Sequence, residues 1–151
     1  MYERHTTIDR LLDESRRQLD RLSPHEAHAA AGERALLIDI RSDAQRARDG
    51  TLPEARVIAR NVLEWRLDPA ASHRDPALAR RDVVVILICD EGYQSSLAAA
   101  TLKRFGLDAT DVIGGFQAWK TAGLPVAPPD VGEGLSRSTR PRTSRTGAHP
   151  G

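Results

Sequence analysis

One cysteine, Cys89, stands among the 151 residues of the chain. An internal disulfide, a Cys-x-x-Cys redox pair and a zinc site of several cysteines are therefore excluded. A lone thiol fits a reducing compartment. Lysine is nearly absent: Lys103 and Lys120 are the only two, and the rest of the 22 basic residues are arginines. No charge of one sign prevails. The bases meet 21 acids for a formal net charge of +1, which argues against bulk electrostatic binding to nucleic acid or a membrane surface. No apolar run approaches the ~20 residues that cross a bilayer, and the polar start Met1-Tyr2-Glu3-Arg4-His5 does not read as a signal peptide. The expectation is a cytoplasmic protein with no membrane and no nucleic-acid partner. What the chain does have is length for one domain that buries about two-thirds of its unfolded surface, so stability requires no metal or disulfide staple.

Two apolar runs organise that domain. Residues 35–40 and the six aliphatics Val83 to Ile88 are continuous rather than alternating, which is how parallel strands buried on both faces read. Weaker strands are predicted at 56–59 and 109–113. Between them lie helical patterns. Ile8, Leu11, Leu12, Ser15, Leu19 and Leu22 trace one face of an amphipathic helix over residues 1–22. Ser23-Pro24 offers an N-cap with proline at the first helical position, and Gly32 a stop. A short polar helix is predicted from Ser42 to Arg48. Another opens at Ser95 or Ser96 and closes at Gly106, and a last one carries Phe116 and Trp119. Strands alternating with helices predict a three-layer α/β domain with a mainly parallel central sheet flanked by helices.

From residue 128 the composition turns to Pro, Gly, Ser, Thr and Arg, which cannot build a core, so a disordered basic tail is predicted over 128–151. Its last sixteen residues hold Arg137, Arg140, Arg142 and Arg145 and no acid, which leaves a net charge of −3 on the rest.

The chemistry concentrates after the second apolar run. Cys89 follows that strand directly, then Asp90-Glu91-Gly92-Tyr93-Gln94-Ser95-Ser96 leads into a helix. A strand, a tight loop and a helix N-terminus can turn several backbone N–H groups inward, where they and the helix dipole hold an anion. A cysteine at the centre of such a loop has its thiolate stabilised and becomes nucleophilic. Gly92 suits a positive φ. In parallel α/β sheets, ligands sit at the carboxyl ends of the strands, where Cys89 lies. Tyr93 and Gln94 are candidates for the pocket wall. Arg41 either contacts substrate or pairs with Asp39, Asp43 or a strand-end carbonyl. Trp65 is expected to pack in the core or at its rim. His25 and His28, three apart on a helix, lack a thiol or carboxylate cluster of metal spacing, so no metal site is expected.

The loop Cys89-Asp90-Glu91-Gly92-Tyr93-Gln94-Ser95 resembles the active loop of the rhodanese (sulfurtransferase) family, with its Cys-x-x-Gly-x-x-Ser pattern. Asp39-Ile40-Arg41, Gly50-Thr51-Leu52-Pro53-Glu54-Ala55, Gly114-Gly115-Phe116-Gln117-Ala118-Trp119 and Gly123-Leu124-Pro125-Val126 resemble further family segments in the expected order. The resemblance implies a rhodanese-like domain over residues 23–127. It implies that Cys89 attacks a small sulfur donor, thiosulfate or a low-molecular-weight persulfide, and carries the sulfur as a persulfide. Backbone N–H groups of residues 90 to 95 would hold the terminal sulfur, and an external thiol, small or on a protein, or cyanide would accept it. No metal or organic cofactor is implied.

The loop of related phosphatases is longer and ends in an arginine that grips phosphate oxygens, whereas this loop has Gln94 and no arginine. It also departs from the usual sulfurtransferase pattern. Asp90 and Glu91 stand where thiosulfate-using relatives often carry bases, Thr51 where the family has His, and Glu54 where it often has Gly. At about 7 Å one like charge costs roughly 0.6–2.4 kcal/mol for an effective dielectric from about 80 down to 20. The acids would repel a dianionic donor if they face the pocket and are screened if they face water. They motivate a second reading, a low-turnover rhodanese-like module that binds a partner or senses oxidants.

Overall fold

An uninterrupted aliphatic strand has no face to leave in water, and Val84–Ile88 form the centre of the sheet accordingly. The computed structural model describes residues 5–129. In chain order the elements are α1 (Ile8–Arg17), α2 (Pro24–Ala31), β1 (Leu36–Asp39), α3 (Asp43–Asp49), β2 (Arg56–Val57), a 3-10 turn (Arg60–Val62), α4 (Leu63–Leu67), β3 (Val84–Ile88), α5 (Gln94–Lys103), β4 (Asp108–Asp111) and α6 (Gly115–Thr121). The four strands are all parallel, in the order β2-β1-β3-β4. β1 and β3 are neighbours with Asp39 opposite Ile88, so Arg41 and Cys89 leave the sheet side by side at its carboxyl edge.

Alternation along the strands feeds two apolar layers. Ile38, Val85 and Leu87 face Leu63, Leu67, Ala98 and Leu102 of α4 and α5. Leu37, Ile86 and Ile88 face Ala27 of α2 and Phe116 and Trp119 of α6. The expected three layers are thus present. Each fully buried Leu or Ile contributes about 1.5–3 kcal/mol by leaving water. Two helices begin with reciprocal caps. Ser23 Oγ accepts from the Glu26 N–H at 3.1 Å while Glu26 Oε1 accepts from the Ser23 N–H at 2.8 Å. Ser42 and Gln45 repeat the arrangement on α3.

Three expectations are corrected. The N-terminal helix stops at Arg17 instead of running to Leu22. Residues 18–22 leave the helix because they find partners on β4: Leu22 bridges Val112, the Leu22 N–H donates to the Asp111 carbonyl at 3.0 Å, and Thr110 Oγ1 donates to the Asp20 carbonyl at 2.9 Å. Leu19 reaches the core, while Ile8 and Leu11 stay exposed. Trp65 is also exposed, at 60%. Leu63 and Leu67, four residues apart, take the buried face of α4, and Trp65 midway between them falls on the other side. Finally, α5 starts at Gln94 and neither serine caps it. The predicted tail lies, from residue 130, outside the described residues, as do residues 1–4.

Leu63→Ala should destabilise the protein by about 2–5 kcal/mol in urea unfolding. Trp65→Ala, two residues away on the same helix, should change stability by no more than about 0.5 kcal/mol.

Candidate active site

The loop from Cys89 to Gln94 curls because glycines on both of its sides remove the obstacles. Gly92 is buried at φ +87°, and a Cβ there would stand 2.8 Å from the Gly114 nitrogen. Gly115, at φ +60°, opens α6, and its Cβ would meet the Cys89 carbonyl oxygen at 2.6 Å and the Gly92 nitrogen at 2.7 Å. The start of α6 therefore presses directly on the loop. The Phe116 and Gln117 N–H groups donate to the carbonyls of Cys89 and Asp90 at 2.8 and 3.0 Å.

This curl places the sulfur among donors. The Gly92 and Ser95 N–H groups reach Cys89 Sγ at 3.2 and 3.3 Å. The thiol in turn donates to Ser95 Oγ at 3.2 Å. Negative charge on this sulfur, or on one attached to it, meets oriented backbone donors at the head of α5. Cys89 is 6% exposed, at the floor of a cavity of about 390 Å³.

Behind the loop lies a polar network with no counterpart in the sequence reading. Asp111 is fully buried, and its carboxylate accepts from both Ser95 Oγ and Ser96 Oγ at 2.7 Å. Arg21 donates to it through Nε at 2.8 Å and Nη2 at 3.2 Å. Arg21 Nη2 and Arg16 Nη2 also donate to the Gly92 carbonyl, at 3.1 and 2.7 Å, and Arg16 Nε donates to Ser96 Oγ at 3.1 Å. The sequence holds one signal for this network, an acid in the middle of the half-apolar stretch 109–113. Nothing local marks the two arginines.

The predicted site residues divide into two groups. Cys89, Asp90, Glu91, Tyr93, Gln94 and Arg41 line the cavity together with Ile40, Ser42, Gln45 and Arg60. Gly92 and Ser95 are buried beneath it and reach the sulfur through their N–H groups. Arg41 is 2% exposed and pairs with Asp39, its Nη2 2.8 Å from Oδ2 and 2.9 Å from the Gly50 carbonyl. Its guanidinium carbon lies 3.9 Å from the centre of the Phe116 ring. Of the two acids, Glu91 is exposed, while Asp90 turns sideways: its Oδ1 accepts from Gln117 Nε2 at 2.9 Å and stands 3.6 Å from Arg48. Arg60, unremarked in the sequence, donates to Gln94 Oε1 at 3.1 Å and pairs with Glu64 at 2.9 Å. The acids thus share the cavity rim with Arg60, while Arg41 lines the cavity from a buried position. Among the described residues no group of three or more His, Cys, Asp or Glu could hold a metal ion.

The sequence profile of the rhodanese-like domain matches residues 23–122. A solved structure from Rhodopseudomonas palustris, a protein of unknown function described as a possible tyrosine phosphatase, is 30% identical with a TM-score of 0.74, over 83% of this chain and 98% of that one. A rhodanese-related protein from Thermoplasma volcanium is 22% identical with a TM-score of 0.57, over 71% of this chain and 96% of that one. The thiosulfate sulfurtransferase from Pseudomonas aeruginosa is 22% identical with a TM-score of 0.57, over 74% of this chain and 20% of that longer one. No curated protein matches the sequence.

Asp49 fixes the Gln117 amide that orients Asp90, accepting from it at 3.1 Å. The Arg48 guanidinium, hydrogen-bonded at 2.6 Å, holds the Asp49 carboxyl down from 3.8 to about 2. Asp49 should therefore remain ionised and keep Gln117 in place at neutral pH, releasing it only as the pH falls through about 2. In an NMR titration of the carboxyl carbons, Arg48→Met should move the Asp49 midpoint up to about 4.

Proposed function

As the chain belongs to the rhodanese-like domain family, we propose that it is a sulfurtransferase in which Cys89 carries a sulfane sulfur. The observation that carries this reading is the pair of N–H groups, from Gly92 and Ser95, aimed at Cys89 Sγ on the floor of the cavity. The Cys89 thiolate attacks the outer sulfur of the donor. A bond forms between Sγ and that sulfur, the donor's own bond to it breaks (S–S in thiosulfate or a persulfide, C–S in 3-mercaptopyruvate), and the electron pair of that bond leaves with the donor remnant, sulfite in the case of thiosulfate and pyruvate enolate in the case of 3-mercaptopyruvate. The persulfide left on Cys89 is an anion, which suits a ring of backbone donors. An acceptor thiolate or cyanide then attacks the terminal sulfur and restores the Cys89 thiolate. The difficult transfer is split in two through a covalent intermediate. No second cysteine stands in these 151 residues, so the accepting thiol comes from elsewhere.

The relative described as a possible tyrosine phosphatase raises phosphate ester hydrolysis as an alternative. Residues 90 to 95 contain no arginine to clamp phosphate oxygens. Arg60, at the rim, is already engaged by Glu64 and Gln94. Sulfur transfer needs no such clamp and fits the loop as it stands.

Incubation with thiosulfate, 3-mercaptopyruvate or glutathione persulfide should add one sulfur to Cys89 by intact mass, and Cys89→Ser should add none. No gain with any donor sinks the sulfurtransferase reading, and hydrolysis of p-nitrophenyl phosphate lost in Cys89→Ser would install the phosphatase one. Full biological activity of Cys89→Ser would favour a binding module.

Donor choice should follow charge at the rim. Glu91→Lys should raise kcat/KM for thiosulfate about 3- to 30-fold at low salt, the range set by moving two unit charges at the rim of a screened site. The gain should shrink as salt is added. Asp90→Lys should do less, because Arg48 and Gln117 already hold that carboxylate.

A further inference from the structure

We infer that Arg16 and Arg21, from the segment ahead of the family-matched residues 23–122, are positioning residues that hold the anion cradle around the Cys89 sulfur. Their role presupposes Cys89 as the sulfur carrier proposed above. Both guanidiniums converge on one atom, the Gly92 carbonyl oxygen, at 2.7 and 3.1 Å. The described chain has no cis peptide bond, so the carbonyl of Gly92 and the N–H of Tyr93 point in opposite directions across one rigid plane. Holding the oxygen toward the arginines turns the Tyr93 N–H away from them. Tyr93 lines the cavity, whereas Arg16 and Arg21 do not. Among the described residues the Tyr93 N–H meets no acceptor, which leaves it open to an anionic ligand.

Two cations on the carbonyl also polarise that peptide and strengthen its N–H as a donor. The Tyr93 N–H thereby joins the backbone donors of the cradle. Those of Gly92 and Ser95 already lie on Sγ, and that of Tyr93 is reserved for the terminal sulfur of the persulfide. Arg16 acts as a fork: Nη2 takes the Gly92 carbonyl while Nε takes Ser96 Oγ at the start of α5. A lysine can bring the charge but not the two fixed directions.

The test is single-turnover loading of Cys89 from thiosulfate and from glutathione persulfide, followed by intact mass, with the rate of Cys89 alkylation by iodoacetamide measured alongside at one pH. Arg16→Met and Arg16→Lys should both load about tenfold more slowly, the loss expected of one oriented hydrogen bond to an anion, with a melting temperature close to that of the unaltered protein. Arg21→Met combined with Asp111→Asn, which leaves no unpaired buried charge, should also load slowly. Loading by Arg16→Lys at the unaltered rate would mean that only charge matters and would overturn the cradle role. Unaltered loading by Arg16→Met would overturn it too, as would slow loading accompanied by a matching loss of thermal stability in every variant. If the unaltered protein takes sulfur from neither donor, the sulfur-carrier reading falls instead, and the alkylation rates still decide whether the arginines set the reactivity of the loop.

Discussion

A carboxylate removed from water must be fully paired, or it costs several kcal/mol. Asp111, with no exposure, meets that condition through donors from separate stretches of chain: the guanidinium of Arg21 and the hydroxyls of Ser95 and Ser96. The rest of the site follows from this satisfaction. The serines turn inward to reach Asp111, so α5 begins without a side-chain cap, and its first turn is drawn against β4. With Ser95 so placed, its N–H falls on Cys89 Sγ. Arg21 has to cross to β4, so α1 ends early and the chain runs extended to bridge Val112. The Cys89 loop and the N-terminal segment thus share one buried negative charge.

The rim of the cavity balances its own charges in a looser way. Asp90 is drawn off by Gln117 and Arg48, which leaves Glu91 as the acid that stands in solvent beside the opening. Arg41 is turned to Asp39 and stacked on Phe116, so its charge is spent largely inside the fold. Arg60 remains at the mouth, bound on one side to Gln94 of the loop and on the other to Glu64 of α4. That arginine also belongs to a second depression that contains the exposed Trp65 and Phe105. Arg60 therefore links Glu64 of α4 to Gln94 of the loop.

Much of this molecule was legible in local sequence because local rules produced it. The aliphatic run 83–88 had to be buried on both faces, Ser23 before Pro24 marked a helix start, and a cysteine between a buried strand and a helix marked the candidate site. The features that escaped notice have partners far away in the chain. The periodicity of residues 8–22 is that of one helix, and only the edge of β4 explains why it stops at Arg17. The size of Trp65 points to the core or its rim, yet Leu63 and Leu67 fill the inner face of α4. Asp111 is a single acid inside the predicted strand 109–113, and its importance depends on Arg21 and the two serines arriving beside it. Cys89, Asp90, Glu91, Tyr93, Gln94 and Arg41 could be gathered from the sequence, but the atoms that set the loop's shape could not.

Arg21 and Asp111 are separated by 90 positions in the chain, which gives their pairing a place in time as well as in space. Parallel strands assemble slowly because distant segments must meet before any contact rewards them. A chain made from its N-terminus brings Cys89 into solution 22 residues ahead of residue 111. During that interval the thiol is present but the ring of donors around it is not. The last strand in the chain supplies the carboxylate that meets both serines and Arg21. The setting of the cysteine is in this sense completed late in the chain: an unfinished chain carries the thiol without the donors that surround it in the fold.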